Sequence, residues 1–400
     1  MTTPLFQIDE PPRPAPASGF AMSALFALGF RPFYLLAAAF AALSIPLWAL
    51  QFSGWLGRPY LAGPLWHAHE MLFGFALAVI VGFLFTAGRN WTGEPTPAGA
   101  RLAALAALWV AARVLVLTPF ATAAAVANIA FPLVAAVALA VPFVRARSRR
   151  NYFFVGLLAL MAVAAACIHL APAGSGALAW RGVQLALDAV LFVLCVMGGR
   201  VVPMFTQNGV PGTLPRRRKR LEQAALGAVL ALIAADAAGM GGWPLAALAG
   251  AAGALHVWRW WLWQPWKTCR VPLVWVLHAG YAWIPVHLWL RALAAAGLVA
   301  PTLATHALTV GAIGGLVIGM VTRTARGHTG RPLRADGWET ACYALVLAAA
   351  AVRVAWPLAA PAQTVHAVLL SAGLWSAGFG LYAVRYWPVL SRPRLDGRPG

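Results

Sequence analysis

LWHAHEMLFGFALAVIVGFLFTAG, residues 65–88, decides the fold. A helix crosses the ~30 Å hydrocarbon core of a bilayer in ~20 residues, and this stretch exceeds that with one carboxylate, Glu70, before it meets Arg89. The pattern recurs on both sides. Apolar runs cover residues 25–50, 62–88, 101–118, 123–144, 152–171, 178–198, 221–240, 243–263, 271–289, 301–321, 339–357 and 363–387. Only 10% of the 400 residues are charged and 62% are hydrophobic. A water-facing surface needs roughly 25% charge, so the sequence excludes a sizeable soluble domain. The expected fold is all-α, a polytopic transmembrane bundle of about twelve helices. Residues 21–390 form its single membrane domain. Residues 1–20 read as a disordered cytoplasmic tail without a signal-peptide pattern, and residues 391–400 as a short cytoplasmic C-terminal tail.

The net charge of +20 would suit nucleic acid, but its placement does not. Arg89 and Arg101, Arg145 to Arg150, Arg200 with the run Arg216 to Arg220, Lys267 and Arg270, and Arg323 to Arg334 fall in alternate loops. The other loops carry little beyond Arg58, Arg181 and Arg291. By the positive-inside rule this sets both termini on the cytoplasmic side. In a bacterium with two membranes, the sparse side faces the periplasm and the protein is a multi-pass inner-membrane protein. Trp258, Trp260, Trp261, Trp263 and Trp266 read as an interfacial belt, and the Arg216 to Arg220 run as a topology signal that also suits anionic membrane lipids.

Chemistry in a bilayer is announced by ionisable residues. Cys167, Cys195, Cys269 and Cys342 form no CxxC pair, which disfavours thiolate clusters. Histidine is more informative. Counting the helical rise puts His67, His169, His306, His366 and His287 at roughly 3–8 Å below the outer surface. His256 and His278 lie at roughly 10 Å from the cytoplasmic side, on consecutive antiparallel helices whose side chains are placed to meet. Imidazole suits haem iron and copper, and histidines also glue helices together by hydrogen bonds. Residues two apart on a regular helix point ~200° away from each other, so His67 and His69 need an irregular helix to share one metal. His67 and Glu70 share a face, and Glu70 suits a proton donor. Asp188, near mid-membrane, is either a proton or cation site or a partner for Arg113 or Arg353. His328 falls in a glycine-rich basic loop.

Six stretches together resemble the NnrS family of bacterial membrane proteins. They are GFRPFYLLAA from Gly29, WHAHEMLFGF from Trp66, NWTGEP from Asn90, GGRVVPMFTQN from Gly198, PLVWVLHAGYAWIP from Pro272, and HALTVGAIGG with TRTARGHTGRPL from His306. The resemblance implies a haem- and copper-containing protein of nitric oxide metabolism or nitrosative stress, often beside denitrification. It places family histidines on His67, His69, His278, His306 and His328, with His169 and His256 fitting less closely and His287 departing from the pattern. The expectation is therefore a metal site of His67, His69, His169 and His306 with Glu70 as its catalytic acid, and a cofactor site of His256 and His278. The cofactors are haem b, since no CxxCH attachment motif exists, and copper. Nitric oxide is the ligand, and a redox partner or quinol supplies electrons. The rival readings are a secondary transporter and a non-catalytic sensor or metal chaperone.

Overall fold

In lipid no water is at hand for a backbone N–H or C=O, so an apolar chain must satisfy its own backbone, and a helix does so within one segment. The computed structural model describes residues 22–52, 54–55, 60–61, 63–170 and 176–397, and among these all regular structure is helical. The N-terminal tail expected at residues 1–20 lies outside the described residues, as do Arg58 and residues 398–400 of the C-terminal tail.

The long helices are α1 Phe30–Phe52, α2 Gly63–Thr92, α3 Ala100–Val116, α4 Ala121–Arg145, α5 Phe153–His169 and α6 Gly176–Gly209. They continue as α7 Lys219–Ala237, α8 Gly242–Trp261, α9 Pro272–Ala295, α10 Pro301–His328, α11 Gly337–Ala359 and α12 Thr364–Leu390. They stand at the twelve apolar runs of the sequence. Nine of the described helices are long and apolar enough to cross a membrane. The others are α3, with 17 residues; α7, which carries Lys219, Arg220, Glu222 and Asp236; and α8, which ends in the amphipathic run Trp258-Arg259-Trp260-Trp261.

Burial separates an inner set from an outer one. The apolar windows of α2, α6, α9 and α10 are 83%, 72%, 67% and 72% buried, whereas those of α1, α4, α5, α11 and α12 reach at most 50%. The inner four carry His67, His69, Glu70, Asp188, His278 and His306. Small residues let these helices approach closely, as membrane packing favours. A Cβ added to Gly280 on α9 would lie 2.6 Å from the Leu316 nitrogen of α10. The outer set closes on itself where α12 meets α1. There the buried Arg31 donates to the Leu390 and Arg392 carbonyls at 2.9 and 2.8 Å, and Trp375 donates to the Ala41 carbonyl at 3.1 Å.

Two inner helices are irregular. α2 is π-helical over Glu70–Ala76 and α10 over Ala307–Gly314, each directly after a histidine. Such insertions often mark functional sites. The wider turn changes which carbonyls have partners, and Trp109 of α3 donates to the Gly74 carbonyl at 3.1 Å. His328, expected in a loop, is the last residue of α10. The helix runs on through Thr322 to Gly327, and the His328 carbonyl accepts from Arg394 at 2.9 Å.

Candidate functional site

Four helices deliver one buried polar network at the end of the bundle where α2 begins and α5 ends. His69 and Glu70 stand at the entry to the π-helical turn of α2, Arg113 near the end of α3, Asn128 on the second turn of α4, and His169 as the last residue of α5. His69 is fully buried and Glu70 is 1% exposed. Arg113 Nη1 donates to Glu70 Oε1 at 2.5 Å and Nη2 donates to Asn128 Oδ1. The guanidinium is further seated against Trp109 and Phe40. A charge this deep is tolerated only when paired and hydrogen-bonded, and here one carboxylate faces one guanidinium.

That pairing fixes the tautomer of His69. Glu70 Oε1 already accepts from Arg113 and lies 2.7 Å from His69 Nδ1. An ionised carboxylate only accepts, so Nδ1 carries the proton and Nε2 presents a lone pair. His69 Nε2 lies 2.9 Å from His169 Nε2, and the two rings meet edge to face at 4.7 Å. The Nδ1 of His169 is held in turn by the Tyr60 hydroxyl, and His69 stacks on Phe73 at 4.8 Å. With His169 protonated on Nε2, this is an imidazole-to-imidazole hydrogen bond and the tyrosine donates to Nδ1. If the His169 proton instead sits on Nδ1 and is donated in a hydrogen bond to the tyrosine oxygen, both Nε2 atoms carry free lone pairs. Metal–nitrogen bonds of 2.0–2.1 Å in tetrahedral geometry place two nitrogens about 3.3 Å apart. A separation of a few tenths of an ångström therefore converts the pair into two metal ligands, each with the outer hydrogen-bond partner that metal-binding histidines usually have. No group of three or more His, Cys, Asp or Glu residues placed to hold one metal exists among the described residues.

The expected outer site is thus divided. His67 and His69 point to opposite sides, as their spacing requires. His67 packs on Trp48 at 4.9 Å with its Nδ1 buried and unpartnered. It neighbours His306 and Arg353. His306 bonds the Thr302 carbonyl through Nδ1 at 2.7 Å and receives Arg353 on Nε2 at 3.3 Å. The expected pairing of Glu70 with His67 does not form, because Arg113 draws the carboxylate to the His69 side.

The inner pair is also rearranged. His256 and His278 do not bond one another. His256 Nδ1 meets the Tyr281 hydroxyl at 2.6 Å and His278 Nε2 meets the Thr206 hydroxyl at 2.7 Å, leaving His278 Nδ1 buried without a partner. Tyr281, one turn beyond His278, occupies the place facing α8. His287 is held by the Ala304 carbonyl at 2.7 Å, and His366 is exposed. Asp188 pairs with neither Arg113 nor Arg353. Those arginines are engaged elsewhere, and its neighbour is Arg291 at 3.7 Å.

A cavity of about 80 Å³ lies between α1, α2, α6, α9 and α10, walled by apolar side chains including Val79, Phe83, Met197, Leu277 and Met320. It has no imidazole in its wall.

Sequence reasoning missed Tyr60 and Asn128, which carry no signal of their own. Arg113 was visible as an intramembrane charge but was offered the wrong carboxylate. Compared with known families, residues 24–394 match the family described as NnrS protein. No curated protein matches the chain.

Proposed function

The chain belongs to the NnrS family, and from that premise and the paired imidazoles of His69 and His169 we propose that it binds nitric oxide at a copper ion within the membrane. Family membership fits a nitric-oxide-related membrane protein. The observation that supports the finer reading is the 2.9 Å approach of the two Nε2 atoms, each ring oriented from behind by a hydrogen-bonding partner. Copper at that point would supply a one-electron redox centre with open coordination positions. His69 and His169 would hold it. Glu70 would keep the proton on His69 Nδ1, and the Tyr60 oxygen would accept a hydrogen bond from His169 Nδ1–H. Arg113 and Asn128 would hold the carboxylate in place. Glu70 already accepts from two donors, so its proposed role is positioning rather than proton delivery. Nitric oxide is small, neutral and lipid-soluble, and it would reach a site within the membrane without a polar channel.

In this reading all twelve helices cross a bacterial inner membrane with both termini on the cytoplasmic side, as the basic loops from Arg145 to Arg150 and from Arg216 to Arg220 favour. Reduction of nitric oxide would draw electrons from a redox partner or quinol, and His256 and His278, whose Nε2 and Nδ1 atoms are buried without partners, remain the proposed place for haem b. The test is a nitric oxide titration of copper-loaded protein, followed by infrared spectroscopy of the N–O stretch. A new copper-dependent band is expected, absent from His69→Ala and His169→Ala. The same band in a protein stripped of copper would overturn the proposal.

A further inference from the structure

On the far side of α6 two carboxylates share one guanidinium. Gln184 donates to Asp188 Oδ1 at 3.0 Å and reaches Asp236 Oδ2 at 3.4 Å. Arg291 bonds Asp236 directly, and its second nitrogen lies 3.7 Å from Asp188. The side chains of Asp188, Asp236 and Arg291 are only 4%, 13% and 12% exposed. Gln184 and Arg291 thus each reach both carboxyl groups, which brings two acidic side chains to one buried point.

Charge counting sets this cluster apart. Glu70 has Arg113, Glu222 has Arg259 and Glu339 has Arg326, each at 2.5–2.8 Å. Asp188 and Asp236 carry two negative charges against one positive. A buried net charge is costly, and neighbouring carboxylates do not both ionise readily. Asp236 also stands one residue from the end of α7, where the negative end of the helix further disfavours a carboxylate. Among the described residues, Arg181, seven positions before Asp188 on α6, is exposed to the surroundings of the bundle. α8, packed on α7 and α9, carries its ionisable side chains, His256 and Arg259, toward the opposite end, and the last histidine of α5 faces His69. On α9, His287 is held by the Ala304 carbonyl.

We propose that Asp188 and Asp236 form a proton-binding pair that holds one proton between its two carboxyls at neutral pH and exchanges it with water at the turn joining α7 and α8. The turn begins two residues after Asp236, at Ala238. The proton makes the cluster electrically neutral: one carboxylate, one carboxylic acid, one guanidinium. The site therefore stores a proton within the membrane domain, independently of any metal at His69 and His169.

Infrared spectroscopy tests this on the full-length protein, in a detergent free of carbonyl groups. The wild type should show a protonated-carboxyl C=O band at neutral pH that shifts in D2O and disappears as the pH is raised. Asp188→Asn and Asp236→Asn should each abolish the band, because either leaves one carboxylate for one guanidinium. Absence of the band from the wild type at neutral pH would overturn the proposal, and needs no variant to fold. So would persistence of the band in either variant whose helical circular dichroism is intact.

Discussion

Replacing Arg113 by methionine removes the one cation that faces Glu70. The two groups are 7% and 1% exposed and lie 2.5 Å apart, so water cannot replace the lost partner. Removing one member of such a pair costs about 3–5 kcal/mol, because the surviving charge is buried alone. Losing the hydrogen bond to Asn128 adds about 1 kcal/mol. Arg113→Met should therefore lower unfolding stability by about 4–6 kcal/mol. The physical cause is the orphaned carboxylate and not the missing arginine itself, which gives the reasoning a sharp check. Glu70→Gln in the same chain removes that charge, and neutral substitution of both members of a buried pair is often nearly harmless. The double variant should recover most of the loss. Unfolding in a graded mixture of mild and denaturing detergent, followed by circular dichroism, measures all three proteins. A double variant as unstable as the two single losses added together would refute the account of Glu70 and Arg113 as a self-contained ion pair.

Three further outcomes follow from the same geometry. Glu70→Gln alone should weaken copper binding by about 10- to 100-fold, the usual effect of removing the group behind a ligating histidine, as read by competition with a chelator. Gly280→Val should destabilise the bundle by at least about 1–3 kcal/mol, because the added Cβ meets backbone of α10 rather than a movable side chain; a thermal melt unchanged from the wild type would contradict the close approach of α9 and α10. Cysteines introduced at Ser148 and at the exposed Leu214 should resist an impermeant thiol reagent applied to intact cells, since both loops are proposed to be cytoplasmic, and ready labelling of either would reverse the orientation.

The sequence showed where the helices run because the bilayer imposes a length that apolar runs must match, and the twelve rods stand at those runs. It showed less of the site. His69 and His169 were visible as intramembrane histidines, but their meeting depends on how α2 and α5 are turned about their own axes, which hydropathy does not record. The π-helical turn after His69 is a matter of backbone hydrogen bonding, and no residue between Glu70 and Ala76 announces it. Arg113 could be seen as a charge in want of a partner; that the partner is Glu70 and not Asp188 follows from the packing of α3 against α2. His256 and His278 were expected to meet, yet Tyr281 and Thr206 take their hydrogen bonds. Depth is legible in a membrane sequence, and azimuth is not.

The central claim is that one copper ion is held between His69 and His169. The X-ray absorption spectrum of copper-loaded protein tests it most directly. The account predicts imidazole nitrogen scattering at about 2 Å in the wild type, in His256→Ala and in His278→Ala, with loss of bound copper in His69→Ala and His169→Ala. An unchanged copper spectrum in either of the last two variants, or its loss in His256→Ala with the fold intact, would contradict it.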